Sequence, residues 1–188
     1  YNDLEQDINN YINEIISTGI QTLQGKKINF INIEKTKGFQ HIHAVGQIVE
    51  ENSHKKVYIC FGPDYAPMEQ TQIEHAVFEL REGLDEDCVL IFCAFHFDPE
   101  ASKDIDQLRH ENITFLKSQM SVDLLTEDLR KKRSSNQSFW LIGQPDIGIE
   151  QKGTQYKIEI RGFDYYNPSK GQVESKGNES HLKSDAAN

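Results

Sequence analysis

A continuous apolar run, Cys88–Glu100 (CVLIFCAFHFDPE), limits the possible folds of this chain more than any other stretch. Its apolar residues do not alternate with polar ones, which is typical of a strand covered on both faces. Pro99 removes a backbone donor and therefore ends ladder pairing. Since binding sites in open α/β sheets lie at the carboxyl ends of such strands, His96 and Asp98 are either a site or a simple strand exit.

Length, charge and cysteine usage narrow the class of protein. A chain of 188 residues is the size of one domain with its own core, and a first residue of Tyr1 predicts a piece of a longer protein. No apolar stretch is long enough to span a membrane, so no membrane partner is expected. The net charge of −10 argues against a surface that is basic overall but allows a local basic patch. Cys60, Cys88 and Cys93 lack CxxC spacing, which predicts buried reduced thiols and a cytoplasmic location.

The first fifty residues predict a helix and a β-hairpin. Apolar residues recur at helical spacing over Asp3–Gln24, and Gly25 is the expected stop. This helix (residues 1–24) docks either on its own domain or on a missing upstream part. Two strands, Lys27–Ile33 and Phe39–Val49, are expected next, with Gly38 supplying the positive φ of the turn.

His41 and His43 are two residues apart, so a strand would place both on one face. A metal pair could use that spacing, but a closed metal site needs three or four ligands. No clear third ligand is nearby in the sequence. Cross-strand polar packing is therefore the favoured interpretation, and no metal ligand is assigned.

The middle of the chain predicts a parallel βαβ unit. Its parts are a strand at Lys56–Phe61, a helix from about Glu69 with one apolar face, and the run at Cys88. Two more helices and two more strands are predicted downstream, at Ser102–Arg109, Ser121–Arg133, Ile113–Lys117 and Ser138–Ile142. Phe139 and Trp140 in the last of these are expected in the core rather than on a base-stacking surface.

The C-terminal part predicts an antiparallel hairpin, Asp146–Glu150 with Gln155–Tyr165, joined at Lys152-Gly153. From Asn167 the chain is polar and poor in aliphatic residues, which predicts a flexible tail. The predicted architecture is α/β: a mixed sheet with a parallel βαβ core, flanking helices and antiparallel hairpins. Residues 1–166 form a single domain in this prediction, and residues 167–188 form the tail.

Common catalytic motifs are absent from the sequence, which contains no GxxxxGK[ST], GxGxxG or GxSxG. A PD-(D/E)xK-like nuclease domain, active or degenerate, is an alternative. Asp146 could act with Glu159 and Arg161, or with Glu150 and Lys152. A Mg²⁺ site needs carboxylates that converge from separate strands, and the better-spaced set lacks the lysine. An ordinary hairpin with charged turns is the competing interpretation, so no catalytic residue is assigned.

Arg130, Lys131, Lys132 and Arg133 form a dense basic run. Four adjacent cations can bind a phosphate backbone, because such charges supply most of the affinity for nucleic acid. They can equally form the solvated end of a helix, where cations favour the helix dipole. These four residues are the candidate nucleic-acid-binding site.

Four segments carry a resemblance to a known family: FGPDYAPMEQTQIEHA, FCAFHFDPEASKDID, LKSQMSVDLLTEDLRKKRSSNQSFWLIGQPDI and KIEIRGFDYYNPSKGQVES. In order and spacing they resemble the region downstream of the catalytic domain in bacterial adenine-specific DNA methyltransferases related to type III modification (Mod) subunits. The resemblance runs from about residue 30 to about residue 175. It is most specific over Leu116–Asp146.

The resemblance implies a parent protein that transfers a methyl group from S-adenosylmethionine to N6 of a flipped adenine. That chemistry needs a DPPY-type and an FxGxG-type motif, and the chain contains neither. The implied role is therefore non-catalytic: DNA engagement, target recognition, or contact with the methylase catalytic domain or a restriction subunit. A protein–protein interaction module that uses the Asp3–Gln24 helix is a further alternative.

Overall fold

The computed structural model describes residues 2–22, 27–50, 53–84, 86–125, 138–143, 145–152, 155–167 and 172–177. The chain divides into two compact units, Tyr1–Ile142 and Gly143–Asn188. The first unit contains an eight-stranded sheet and the second a three-stranded sheet. The mixed α/β architecture predicted from the sequence is confirmed.

The elements of the described ranges follow in chain order. The helices are α1 (Asn2–Thr18), α2 (Gln70–Glu82) and α3 (Pro99–Gln107), with a short 3-10 helix at Val122–Leu125. The strands are β1 (Ile20–Gln21), β2 (Lys27–Ile28), β3 (Phe30–Lys35), β4 (Ala44–Glu50), β5 (Ser53–Phe61), β6 (Cys88–Ala94), β7 (Ile113–Met120), β8 (Phe139–Ile142), β9 (Pro145–Lys152), β10 (Gln155–Asn167) and β11 (Gln172–Gly177). Within these ranges, no helix has both the length and the apolar character needed to cross a bilayer.

The larger sheet has the strand order β2-β1-β8-β7-β6-β5-β4-β3. The β5, β6 and β7 strands are parallel, as the βαβ prediction requires, and β3, β4 and β5 form an antiparallel meander. Every residue of β6 is buried. The continuous apolar run is therefore confirmed as a central strand covered on both faces.

Two layers of helix cover this sheet. Leu90 and Phe92 of β6 share a buried cluster with Ile73 and Leu80 of α2 and with Ile105 of α3. On the opposite face, Tyr11 of α1 places its ring 5.3 Å from the ring of Phe61 and 5.9 Å from that of Phe95. The parallel core thus lies between α1 on one side and α2 with α3 on the other.

The sheet curls around α1. The β2 and β3 strands stand at opposite ends of the strand order, yet Asn29 alone separates Ile28 from Phe30. Two consecutive Cα–Cα steps span at most ~7.6 Å, whereas the edges of a flat eight-stranded sheet lie about 33 Å apart. The two ends of the sheet must therefore approach each other. Ile15 of α1 is fully buried within the curl.

The N-terminal helix is shorter than predicted. It ends at Thr18, because Gly19 adopts a positive φ of 68° and donates its N–H to the Ile15 carbonyl at 2.8 Å. A Cβ at Gly19 would stand 2.6 Å from the Ile28 carbonyl oxygen, so glycine is required for space as well. Gly25, the predicted stop, lies outside the described residues. The apolar stripe is buried on its own unit, as one of the two alternatives expected.

One predicted strand and one predicted helix begin at residues other than the predicted ones. The strand predicted over Phe39–Val49 begins only at Ala44, although Gly38 has the expected positive φ of 88° in the turn before it. The helix predicted from Ser102 begins at Pro99, because Asp98 caps it. Of the helix predicted over Ser121–Arg133, the described part is the short 3-10 helix, and the remainder lies outside the described residues.

In the second unit, β9 pairs antiparallel with β10, which confirms the predicted hairpin. The β10 strand also pairs with β11, Gln172–Gly177, inside the segment expected to be a flexible tail. Strand pairing uses backbone N–H and C=O groups, so a strand poor in aliphatic residues can still join a ladder. The boundary between the two compact units lies after Ile142, and the single domain over residues 1–166 stays a prediction.

Gly46 of β4 provides a test of close packing in the meander. A Cβ there would collide with the Asn32 carbonyl oxygen and lie 3.0 Å from Cγ1 of Ile33. We expect Gly46→Ala to lower the free energy of unfolding by about 1–3 kcal/mol, because backbone atoms cannot move aside cheaply. Urea denaturation measures this. Gly83→Ala is the matched control, since a Cβ at Gly83 meets no atom within 4 Å and φ is −113°; equal losses for both variants would contradict the prediction.

Candidate nucleic-acid interface

The loop of residues 36–43, between β3 and β4, is fastened to α2 by one carboxylate. Glu79 accepts hydrogen bonds from the Gln40 N–H at 3.1 and 3.2 Å and from the His41 N–H at 2.9 Å. Its Oε1 also lies 2.9 Å from Nδ1 of His41. Burial opposes ionisation of Glu79, but the hydrogen bonds from His41 and Gln40 outweigh it and lower its pKa. The loop is therefore anchored by an ionised side chain.

The same loop is closed internally. Thr36 donates its N–H to the His43 carbonyl at 3.1 Å, and its hydroxyl donates to the Ile42 carbonyl. The rings of His41 and His75 lie 4.7 Å apart, so α2 supports the loop through a second contact. These contacts give the loop one defined conformation.

The side chains of His41 and His43 form hydrogen bonds with different partners. The strand that would have placed them on one face begins after them, at Ala44. His43 instead accepts the Phe61 N–H at Nδ1 at 2.9 Å, which extends the β4–β5 ladder with a side chain. Burial, and then the charge of His41, lowers the pKa of His43 to about 4, so its ring is neutral near pH 7. Within the described ranges, no three His, Cys, Asp or Glu residues form a group that could hold a metal ion.

A cavity of about 250 Å³, which we call the lysine pocket, lies between this loop and the meander. Its charged lining residues are Lys35, Lys37, Lys56 and Glu34, and its other lining residues are Thr36, Phe39, Val45 and Tyr58. Three cations face one carboxylate in a chain whose net charge is −10. The strand pairing of β3, β4 and β5 thus concentrates positive charge at one end of the sheet.

Lys56 lines the lysine pocket and contacts Tyr58. Its Nζ lies 5.4 Å from the centre of the Tyr58 ring, and a hydrogen bond with Tyr58 raises the pKa of Lys56. The Tyr58 ring in turn packs edge-to-face on Phe39 at 5.9 Å. A smaller cavity of about 60 Å³ shares Lys56 and Tyr58 and includes Glu86 in its lining. The ammonium group is therefore charged and positioned before any ligand arrives.

The chemistry of the lysine pocket is that of anion binding. Lysine binds phosphate as a compact point charge, and an aromatic wall accepts the flat face of a base.

The three cysteine thiols are not suited to nucleophilic attack, because burial raises the pKa of Cys60 to about 12 and of Cys88 to about 11, and also raises the pKa of Cys93. All three are free and buried, as predicted.

The exit of the central strand has a structural role. Asp98 accepts the backbone N–H groups of Glu100 at 3.0 Å and Ala101 at 3.3 Å and so caps α3. Met68, which is fully buried, donates its N–H to the His96 carbonyl and accepts the Asp98 N–H. Of the two possibilities for His96 and Asp98, these contacts favour the strand exit.

Lys117 is a buried lysine that pairs with the exposed carboxylate of Asp106, a contact that the sequence did not predict. It is 6% exposed on β7, with Nζ 2.8 Å from Asp106 Oδ1 and 2.9 Å from Ser102 Oγ. Both partners belong to α3. The lysine therefore fastens α3 to the sheet, and the low exposure of its amine makes it unsuited to binding a large anion.

Other predicted residues are only partly described. The basic run Arg130–Arg133 lies outside the described residues, so its role stays a prediction. In the second unit, the backbone register sets Asp146 opposite Gly162, and Glu159 opposite Gly148. The hairpin therefore brings the predicted acidic positions onto neighbouring strands, while a metal site there stays a prediction.

The lysine pocket was missed because its members are scattered in sequence. Lys35 and Lys37 precede the Gly38 turn, and Lys56 lies directly before the apolar residues of β5. The available signal was the hairpin itself, since pairing β3 with β4 and β4 with β5 brings both ends of this segment together.

Comparison with known proteins assigns the chain to no family. No family model and no curated protein matches the chain. Among solved structures, the MspJI restriction endonuclease in complex with a 27-mer oligonucleotide matches with a TM-score of 0.33 and 11% identity, over 61% of this chain. The chain spans 26% of the length of that protein. At this TM-score the likeness supports no conclusion about fold or function, so the site is interpreted from its own geometry.

Glu79→Gln tests the anchoring of the loop. We expect the free energy of unfolding to fall by about 1–2 kcal/mol, because charge-assisted hydrogen bonds become neutral ones. Chemical denaturation measures the change. Glu74→Gln, on the exposed side of the same helix, is the matched control and should change stability by less than about 0.5 kcal/mol. A result in which Glu79→Gln behaves like Glu74→Gln would show that the carboxylate does not anchor the loop.

The lowered pKa of His43 predicts that the free energy of unfolding depends on pH. Its pKa is about 4 in the folded chain and 6.5 as an ordinary value, so the unfolded chain binds the proton first as pH falls. The stability is complete above pH 6.5 and decreases down to pH 4, by about 3 kcal/mol in total. His43→Gln, which keeps an acceptor for the Phe61 N–H but does not titrate, should flatten the curve of unfolding free energy against pH above pH 5. Parallel curves for the two proteins would refute this role. The pKa of Glu79 is lowered, so its contribution is lost only as pH falls below its ordinary value of 4.5.

Proposed function

We propose that this chain is a non-catalytic, DNA-engaging accessory domain of an adenine-N6 DNA methyltransferase in a restriction-modification-like system. The observation that carries DNA engagement is the lysine pocket, where three lysines and one glutamate line a concave surface beside aromatic side chains. Affinity for DNA comes largely from such cations, because they displace counterions condensed on the phosphates. The described contacts of the pocket serve binding rather than bond cleavage.

The charge distribution favours a local contact. A chain with a net charge of −10 is repelled by DNA over most of its surface, so the productive orientation is restricted to a basic region. Glu86 lies in the lining of the adjoining smaller cavity and limits the basic region on that side. The lysine pocket therefore sets both where the nucleic acid is bound and how it is oriented.

The apolar part of the lining favours nucleic acid over an acidic protein segment. Phe39 and Val45 provide a surface that a carboxylate side chain would not use, whereas every base has a flat apolar face. A ligand that combines negative charge with flat apolar rings fits both halves of the pocket.

The link to a methyltransferase is supported by the four sequence segments described above. One of them, FGPDYAPMEQTQIEHA, begins at the end of β5 and continues into α2, the helix that carries Glu79. Since the chain has neither a DPPY-type nor an FxGxG-type motif, S-adenosylmethionine and methyl transfer belong to the catalytic domain of the parent protein. The methylase catalytic domain or a restriction subunit is the proposed protein partner.

Neutralising the lysine pocket tests DNA engagement. We expect the chain to shift the fluorescence anisotropy of a short labelled duplex, with an affinity that falls as salt rises. The triple variant Lys35→Gln, Lys37→Gln and Lys56→Gln should bind more weakly and show a smaller salt slope, by about 0.9 for each phosphate contact removed. Circular dichroism verifies that the variant is folded.

Lys103→Gln is the matched control, because Lys103 is exposed on α3 and outside the lining of the lysine pocket. It should leave the affinity and the salt slope nearly unchanged. Absence of binding by the wild-type chain at low salt would reject DNA engagement. Competition by an acidic polypeptide as effective as unlabelled duplex would instead assign the pocket to a protein partner.

A further inference from the structure

We propose that the lysine pocket accepts one unpaired nucleotide, with its phosphate on the lysines and its base against the apolar wall. This inference rests on the proposed DNA engagement and specifies its ligand. The combination of a small cavity, three lysines in its lining and an aromatic wall held by packing carries it. The lysines attract the phosphates of any nucleic acid, whereas the small cavity and the aromatic wall favour a single unpaired nucleotide over a paired duplex.

The size of the cavity sets the size of the ligand. Its volume is about 250 Å³, below the roughly 300–1,000 Å³ of pockets for larger small molecules. A base pair that stays in the duplex cannot enter such a space, because it is stacked between neighbouring pairs and only its edges are reached through the grooves. One extruded base with its sugar and phosphate is of the right order. The pocket thus favours a nucleotide that is already out of the stack.

The two halves of the lining match the two halves of a nucleotide. Lys35 and Lys37 lie beside the Gly38 turn, and Lys56 is held over Tyr58 with Nζ 5.4 Å from the ring centre. Because Lys56 already covers Tyr58, the half-buried Phe39 and Val45 are the apolar surface left for a base. Stacking of this kind tolerates any base, so the expected selectivity is for the unpaired state rather than for one sequence.

The wall is immobilised before binding. Phe39 directly precedes Gln40 and His41, whose N–H groups are both held by Glu79. The edge-to-face contact with Tyr58 fixes the ring from the other side. A wall that is already ordered loses little conformational entropy when a base packs on it, and this raises the affinity. Glu79 is thus a positioning residue for the nucleotide, although it lies outside the lining of the pocket.

The experiment compares two labelled duplexes that differ by one unpaired nucleotide. We expect the full 188-residue chain to bind the bulged duplex about tenfold more tightly than the paired one, a difference of about 1.4 kcal/mol, because the unpaired base stacks on an aromatic side chain. A 2-aminopurine at the bulge should change its fluorescence on binding. Val45→Phe, which fills the pocket, should abolish the preference for the bulge.

A second variant covers the case in which Val45→Phe does not fold. Phe39→Leu keeps an apolar side chain but removes the ring, and it should reduce the preference for the bulge several-fold. Equal affinities of the wild-type chain for both duplexes, with loss of binding in the lysine variants, would overturn the nucleotide pocket and leave DNA engagement standing. Absence of binding to either duplex by the wild-type chain would reject both proposals.

Discussion

The fold depends on the enclosure of α1 by a sheet that is forced to curl. Because Asn29 alone joins β2 to β3, the two ends of an eight-stranded sheet must meet, and the helix fills the space between them. Tyr11 and Ile15 are buried there, and Glu14 of the same helix accepts a 2.6 Å hydrogen bond from Ser138 just before β8. The concave face is thereby occupied by the chain itself. The helices α2 and α3 cover part of the other face, and residues of the meander line the lysine pocket.

The lysine pocket depends on that arrangement through Glu79. The apolar side of α2, with Ile73, Ala76 and Leu80 buried, sets the position of the helix on the sheet. Glu79 is thereby carried to the β3–β4 loop, where three backbone and side-chain groups meet its carboxylate. The packing of α2 on the sheet therefore also determines the shape of the lysine pocket. A change inside α2 can alter the cavity without touching its lining.

Charge acts locally in this chain. The net charge of −10 describes the whole surface, whereas the pocket has three lysines and one glutamate. Lys117 shows the opposite use of the same side chain, because its amine is buried and neutralised by Asp106. Lys56, between these extremes, is held by Tyr58 at the edge of a cavity. What distinguishes a binding lysine here is the space around its amine, and composition does not contain that information.

Periodicity by itself determined the elements that are buried by their own pattern: the central strand β6, the apolar face of α2 and the parallel βαβ unit. The conformational freedom of glycine determined the turn at Gly38. Burial of a continuous or one-sided apolar pattern is a local property of the sequence, so these predictions needed no partner. Only the tertiary structure decided the rest. The α1 helix ends at Gly19, where the chain joins the sheet at Ile20, although Leu23 continued the helical spacing. His41 and His43 were assigned to Glu79 and Phe61, and three lysines from two strands and a loop were brought to one cavity, because those contacts join residues far apart in the chain.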